Sequence, residues 1–275
     1  MLLLIDVGNT NIVFGVYKEK QLIGTFRLTS NVTRTSDELG LNAWAYFHRF
    51  GFDPVEVKDV IICSVVPGIM HALTNAIIKY FDRVPIVVNE HVFPSLSYPE
   101  GVDYSGLGAD RSVACMAALE KYGAPLVVLD FGTATTLDAI DEAGCYRGGC
   151  ILAGLQISVN ALFQRTAQLP QIELAVPPTF MGMDTVSQIQ IGGVVGYIGA
   201  IEYLVRNTKA ELRNGDKAQV VATGGLARLI SENTSAIDVV DGGLILGGLV
   251  SIYEKYKKNQ KKERREGGTS RPSFC

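Results

Sequence analysis

The sequence lacks the residues around which several kinds of protein are built. Five cysteines are scattered through 275 residues and none forms a Cys-x-x-Cys pair. That excludes a zinc ribbon and a disulfide scaffold; the odd, dispersed thiols fit buried cysteines in a reducing cytosol, so a cytoplasmic location is expected. The three histidines, His48, His71 and His91, show neither ligand spacing nor a partner motif, which argues for surface or hydrogen-bonded rings rather than catalytic ones. No apolar run approaches the ~20 residues of a membrane helix, so no membrane association is expected. The opening Met1-Leu-Leu-Leu-Ile has no basic segment and meets Asp6 at once; it reads as a buried first strand, not a secretion signal. The single tryptophan, Trp44, falls on the apolar side of a helical pattern and is expected in the core.

Basic charge is scarce over most of the chain. Of 25 Lys and Arg, eight lie in residues 255–275, leaving 17 against 26 acidic residues in 1–254. An acidic body argues against broad nucleic-acid binding, and the basic end at 257–275 reads as a frayed, solvated terminus. A hydrophobic content of 47% at this length is ample for one large or two moderate cores.

Strands are expected over 2–7, 11–17 and 21–28, then a helix capped by Thr35 or Ser36 and running to about Phe50. A strand at 57–64, a helix opened by Pro67 and a strand at 84–88 follow. Residues 89–109, with Pro94 and Pro99, are loop-like, and a helix covers 110–122. The second half repeats the scheme, with strands at 126–130, 134–140 and 145–152 and helices at 154–165 and 185–212. A strand at 219–223, a helix starting over 225–230, a short strand at 237–240 and a helix at 243–258 complete it. The pattern is α/β, with halves expected at 1–110 and 111–256.

Two segments carry the same pattern: an apolar strand, Asp-x-Gly, small polar residues and a second strand. Leu3-Leu-Ile-Asp6-Val-Gly8-Asn9-Thr10-Asn11 is one, and Val127-Val-Leu-Asp130-Phe-Gly132-Thr133-Ala-Thr135-Thr136 is the other. Laying Asp6 on Asp130 without a gap brings Asn11 onto Thr135 and Gln21–Leu28 onto Cys145–Leu152. A strand-ending Asp can hold a hydrated Mg²⁺, and glycine lets the backbone approach phosphate closely. An ordinary turn uses the same residues, but recurrence in one topological slot favours a phosphate grip.

Gly106-Leu107-Gly108-Ala-Asp110-Arg111 sits at a helix start. Asp110 there can take a proton from an attacking hydroxyl, or simply cap the helix beside a solvent Arg111. Thr223-Gly224-Gly225 ends a strand and can lie against a purine, or be a plain strand-to-helix turn. Gly192, Gly193, Gly196 and Gly199 suggest close helix contact, including contact across a dimer.

These motifs, in this order and spacing from residue 1 to about 256, resemble those of the type III pantothenate kinases, within the actin, sugar-kinase and chaperone-ATPase superfamily. The resemblance implies two ribonuclease-H-like domains with a nucleotide cleft, and ATP-dependent phosphorylation of pantothenate, the first step of coenzyme A synthesis. It implies Asp6 as the Mg²⁺-side carboxylate, with Gly8, Asn9, Thr10 and Asn11 near phosphate, and Gly132, Thr133 and Thr135 in a second phosphate loop with Gly224 and Gly225. It implies Asp110 as general base, and Tyr98, Gly106, Leu107, Gly108, Arg111 and Thr185 as pantothenate ligands. Asp130 corresponds to a K⁺ or NH₄⁺ ligand, and Thr185 to a residue reaching pantothenate from a second subunit, so a homodimer is implied. Ala153, Met183-Asp184 and Ile191 depart from the family pattern, and an acidic Asp184 beside an anionic substrate would oppose binding. A non-catalytic regulatory protein on the same fold is the alternative. An actin-like or chaperone-like ATPase fits poorly, because the chain has no room for their additional domains.

Overall fold

The computed structural model describes residues 1–89, 92, 96–100 and 106–265, apart from the side chains of 263–265. His91, Pro94, Cys275 and the last ten residues of the basic tail lie outside the described residues. The chain forms two compact units, one of residues 1–95, 108–113 and 245–275, the other of 96–107 and 114–244.

In the first unit β1 (Leu2–Val7), β2 (Asn11–Lys18) and β3 (Gln21–Thr29) form an antiparallel meander. After α1 (Ser36–Arg49), β4 (Asp59–Ser64) returns parallel to β1, and after α2 (Pro67–Phe81), β5 (Ile86–Val87) extends the sheet. The order is β3-β2-β1-β4-β5. The start of α1 is set by a capping box: the Glu38 N–H donates to Thr35 Oγ1 at 3.2 Å, and the Thr35 N–H donates to Glu38 Oε2 at 2.7 Å. Leu39, Ala43 and Phe47 turn α1 into the core. Leu3, Ile5, Val7, Phe14 and Ile62 meet them from the sheet, each such side chain stabilising by roughly 1.5–3 kcal/mol when fully buried. Trp44 is outside this core, contrary to expectation: it is 44% exposed and its Nε1 donates to the Tyr80 carbonyl at 3.0 Å.

The second unit repeats the plan. It takes most of α3 (Ala109–Tyr122), then β6 (Leu126–Phe131), β7 (Ala134–Ile140) and β8 (Tyr146–Ala153). Helices α4 (Leu155–Arg165), α5 (Thr185–Gln190) and α6 (Gly196–Glu211) follow. Strand β9 (Gln219–Gly224), α7 (Ala227–Ser231) and β10 (Val239–Val240) complete it, before α8 (Leu244–Arg265). The sheet order is β10-β9-β6-β7-β8, the same topology as the first. The helix expected over 185–212 is one run whose middle, Ile191–Val195, is a π turn, the kind of local widening found at functional positions.

The duplication extends to irregularities. Pairing slips between Val16 and Tyr17 in β2 and between Ala139 and Ile140 in β7, equivalent places in the two meanders. The gapless alignment is nevertheless wrong in the second strand. Asp6 pairs with Val13 and Asp130 with Thr136, so Ile12, not Asn11, corresponds to Thr135. The first turn is one residue longer. In the third strand the original alignment holds, since Phe14 faces Phe26 where Leu137 faces Cys150.

Helix α8 continues to Arg265, past the expected end near Lys258. It lies with the first unit: a Cβ placed on Gly15 would stand 3.0 Å from Leu246 Cδ1. Tyr253 Oη donates to Asp59 at 2.6 Å and Lys257 Nζ at 2.9 Å; burial, and then Asp59, push the Tyr253 phenol well up. Part of the basic end therefore belongs to an anchored helix rather than to a frayed terminus. Among the described residues no helix is long and apolar enough to cross a membrane.

Candidate active site

Side-chain alternation decides where the two Asp-x-Gly motifs point. Leu3, Ile5 and Val7 enter the core beneath α1 and α2, so Asp6 leaves β1 on the opposite face. It lies in register with Cys63 of the parallel strand β4. Cys63 is fully buried, and its thiol is pushed well up by burial, then by the charges of Asp6 and Asp110. Asp6 and Asp110, 104 positions apart in sequence, thus both act electrostatically on one buried sulfur of the first unit. Asp110 occupies the first turn of α3, where its Oδ1 accepts the Arg111 N–H at 2.7 Å. Gly108 makes that placement possible, because a Cβ there would stand 2.6 Å from Asp110 Oδ1.

The β1–β2 turn is closed by the Gly8 N–H donating to the Asn11 carbonyl at 3.0 Å. Asn9, Thr10 and Asn11 are exposed around it. Ser30, just past β3, secures the turn twice: its N–H donates to the Thr10 carbonyl at 2.8 Å and its hydroxyl to the Gly8 carbonyl at 2.5 Å.

The second unit holds a matching cluster. Asp130 ends β6 in register with Thr136 of β7 and Thr223 of β9. The Gly132 N–H donates to the Ala134 carbonyl at 3.1 Å, and the Gly154 N–H donates to the Thr133 carbonyl at 3.0 Å. Gly224 takes φ +93°, and a Cβ there would stand 2.5 Å from Asp130 Oδ1 and 2.6 Å from the Phe131 N and O. Gly225 has open space at its Cβ position. Asp130, Gly132, Thr133 and Gly224 are therefore brought together.

Thr135 is not part of that surface. It is 1% exposed and points, with Phe131 and Leu137, into the core beneath α6. There burial raises the Tyr197 phenol and the Thr135 hydroxyl partly offsets the rise. Thr136, which shares the Asp130 face, is the threonine in position to border the cluster.

Of the expected pantothenate ligands, Gly108 and Arg111 belong to the first unit, and Tyr98, Gly106, Leu107 and Thr185 to the second. The Tyr98 ring meets Tyr146 edge-on at 5.8 Å, and the Tyr146 hydroxyl donates to buried Asp138 at 2.8 Å. Among the described residues nothing stands within 4 Å of the Gly106 Cβ position. Thr185 begins α5 directly after its cap, Asp184. The Asp184 carboxylate accepts the Ser187 N–H at 3.0 Å and its hydroxyl at 2.8 Å, bonds that hold its carboxyl below the ordinary range. The acidic departure at 184 thus has a local structural use.

Among the described residues no group of three His, Cys, Asp or Glu side chains stands ready to hold a metal. A lone strand-end carboxylate suits a Mg²⁺ that keeps its waters and takes its remaining ligands from phosphates. His48 and His71 lie on the surface, as expected.

A sequence model of the type III pantothenate kinase family matches residues 2–207. The chain belongs to that family. A type III pantothenate kinase of Listeria innocua is 43% identical over 263 residues, covering 95% of this chain and all of the relative. Among solved structures, a Campylobacter jejuni protein assigned to the Baf family of transcriptional activators superposes with TM-score 0.55 at 21% identity, covering 93% of this chain and 99% of that one. MreB 5 of Spiroplasma citri bound to AMPPNP gives TM-score 0.51 at 12% identity, covering 97% and 98%. At these identities the structural likeness concerns the fold, which is that of the two-domain actin-like ATPases. In this type III pantothenate kinase family member the residues around the two turns that sequence reasoning did not single out are Ser30, Gly154 and Thr136. A strand-alternation argument would have found Thr136; Ser30 and Gly154 become visible only once the turns are seen closed.

Proposed function

We propose that the chain phosphorylates pantothenate with ATP, forming 4'-phosphopantothenate at the entry to coenzyme A synthesis. Family membership over most of the chain carries this reading. The duplicated Asp-x-Gly turns supply a physical rationale.

Asp110 takes the proton of the substrate hydroxyl as its oxygen attacks the γ-phosphorus. The bond from that phosphorus to the β–γ bridging oxygen breaks and ADP leaves. The Asn9 N–H of the Gly8–Asn11 turn, fixed before the reaction, stabilises the charge that develops on the transferred group. Asp6 would hold a divalent ion, which supplies positive charge to the phosphates. Asp130, with Gly132, Thr133 and Gly224, is assigned to the remaining phosphates and to a K⁺ or NH₄⁺ ion. Tyr98, Gly106, Gly108, Arg111 and Thr185 are assigned to pantothenate.

A homodimer belongs to the same proposal. Gly192 and Gly199 have open space at their Cβ positions, whereas Gly193 faces Val159 of α4. Phe180, Met181 and Met183, on the same unit, are 77%, 82% and 93% exposed, large apolar side chains that a second subunit could cover. Light scattering during gel filtration measures the expected doubled mass.

The deciding experiment incubates purified protein with ATP, Mg²⁺, K⁺ and pantothenate and follows ADP. Pantothenate-dependent ADP is expected, and its absence would refute the kinase reading and favour a regulatory role.

A further inference from the structure

The geometry points to Ser30 as a positioning residue for the nucleotide phosphates, acting through the Asn9 peptide. The inference rests on the kinase reading above and adds to it a residue outside the Asp-x-Gly motifs.

The two turns can be overlaid by their hydrogen bonds. Ser30 N–H to Thr10 carbonyl in the first matches Gly154 N–H to Thr133 carbonyl in the second. Gly8 N–H to Asn11 carbonyl matches Gly132 N–H to Ala134 carbonyl. Gly8 thus corresponds to Gly132 and Thr10 to Thr133, and the extra residue of the first turn is Asn9. In the shorter turn, residue 154 must be glycine, because a Cβ there would overlap the Gly132 and Thr133 carbonyl oxygens. In the longer turn the corresponding place holds a serine, and its hydroxyl takes the Gly8 carbonyl.

A peptide unit is planar and trans, so its C=O and the following N–H point in opposite directions. With the Gly8 carbonyl held toward Ser30, the Asn9 N–H is directed away from β3. Without the hydroxyl, the Gly8 carbonyl loses the hydrogen bond from Ser30, and that peptide can rotate and present oxygen instead of hydrogen to an anion. Ser30 therefore determines whether the inserted residue acts as a phosphate donor.

The test compares Ser30→Ala and Ser30→Thr with wild type, measuring KM for ATP, KM for pantothenate, kcat and the affinities for ATP and adenosine. Loss of one neutral hydrogen bond predicts a rise in ATP KM of roughly three- to tenfold in Ser30→Ala. Adenosine affinity and pantothenate KM should stay within about twofold, and Ser30→Thr, which keeps the hydroxyl, should restore ATP KM. An unchanged ATP KM in Ser30→Ala, an equal loss of adenosine affinity, or a rise that Ser30→Thr shares overturns the inference. If Ser30→Ala melts well below wild type, Ser30→Cys, with a near-isosteric but weak donor, takes its place under the same criteria. A wild-type protein without pantothenate-dependent ADP would sink the kinase reading instead; ATP affinity then still decides the role of Ser30.

Discussion

Gly224 and Gly225 are adjacent and chemically identical, yet the structure predicts opposite responses to alanine. At Gly224 φ is +93°, a region where a side chain costs about 1–3 kcal/mol. The added methyl would also meet the Phe131 N and O at 2.6 Å and Asp130 Oδ1 at 2.5 Å. The Phe131 atoms belong to β6, paired on both sides by β7 and β9, so they cannot retreat without breaking ladder bonds. A loss of at least about 2 kcal/mol follows, or roughly 4–8 °C in melting temperature. Asp130 Oδ1 is the atom that can yield most easily, so the surviving fold should also bind ATP more weakly. Gly225 carries no such conformation and nothing stands within 4 Å of its Cβ position. Gly225→Ala should stay within about 0.5 kcal/mol of wild type, or gain slightly through the unfolded chain. Urea titrations and thermal melts of both variants, with ATP affinity by calorimetry, are sufficient. Equal stability in the two variants, or the larger loss at Gly225, would refute the account of how β9 approaches Asp130.

Asp110→Asn should retain the melting temperature while kcat falls about 10²- to 10⁴-fold; wild-type turnover would remove Asp110 from proton transfer. Asp184→Asn keeps a capping group and removes the charge, so pantothenate KM should move less than about twofold; a marked fall would show that the carboxylate repels the substrate. Asp241 is partly buried, which alone would raise its pKa, but bonds from Lys121, Tyr122 and the Gly243 N–H prevail and hold it below the ordinary value. A carboxyl depressed in the folded state stabilises above its unfolded pKa of about 3.9, and that stability disappears as pH falls through the folded value. Melting temperature should therefore fall more steeply below pH 4 in wild type than in Asp241→Asn.

What the sequence revealed and what it hid have a common physical origin. Hydrophobic runs, Thr35 as a cap and Pro67 as a helix opener act locally, so β1 to β4, α1 and α2 were legible within a residue or two. The repeated Asp-x-Gly turns were legible for the same reason, since strand, turn and strand are contiguous. A gapless comparison, however, cannot see that one turn holds an additional residue. The strand register reveals it, and so do the closing bonds, three positions apart at Gly8 and Asn11 but two apart at Gly132 and Ala134. The burial of the Thr135 side chain was hidden for a different reason. Its parity with Leu137 and Ala139 already places it on the buried face of β7, and the motif Thr-Ala-Thr-Thr drew attention away from that alternation. Trp44 was misplaced because α1 presents Leu39, Ala43 and Phe47 to the core and Trp44 lies one step beyond that stripe. That Asp6 and Asp110 both act on Cys63 could not be read locally at all, because it depends on β4 returning beside β1 and on the start of α3 belonging to the first unit. Two turns built from one plan thus diverged by a single residue, and the serine that closes the longer one marks where they ceased to be equivalent.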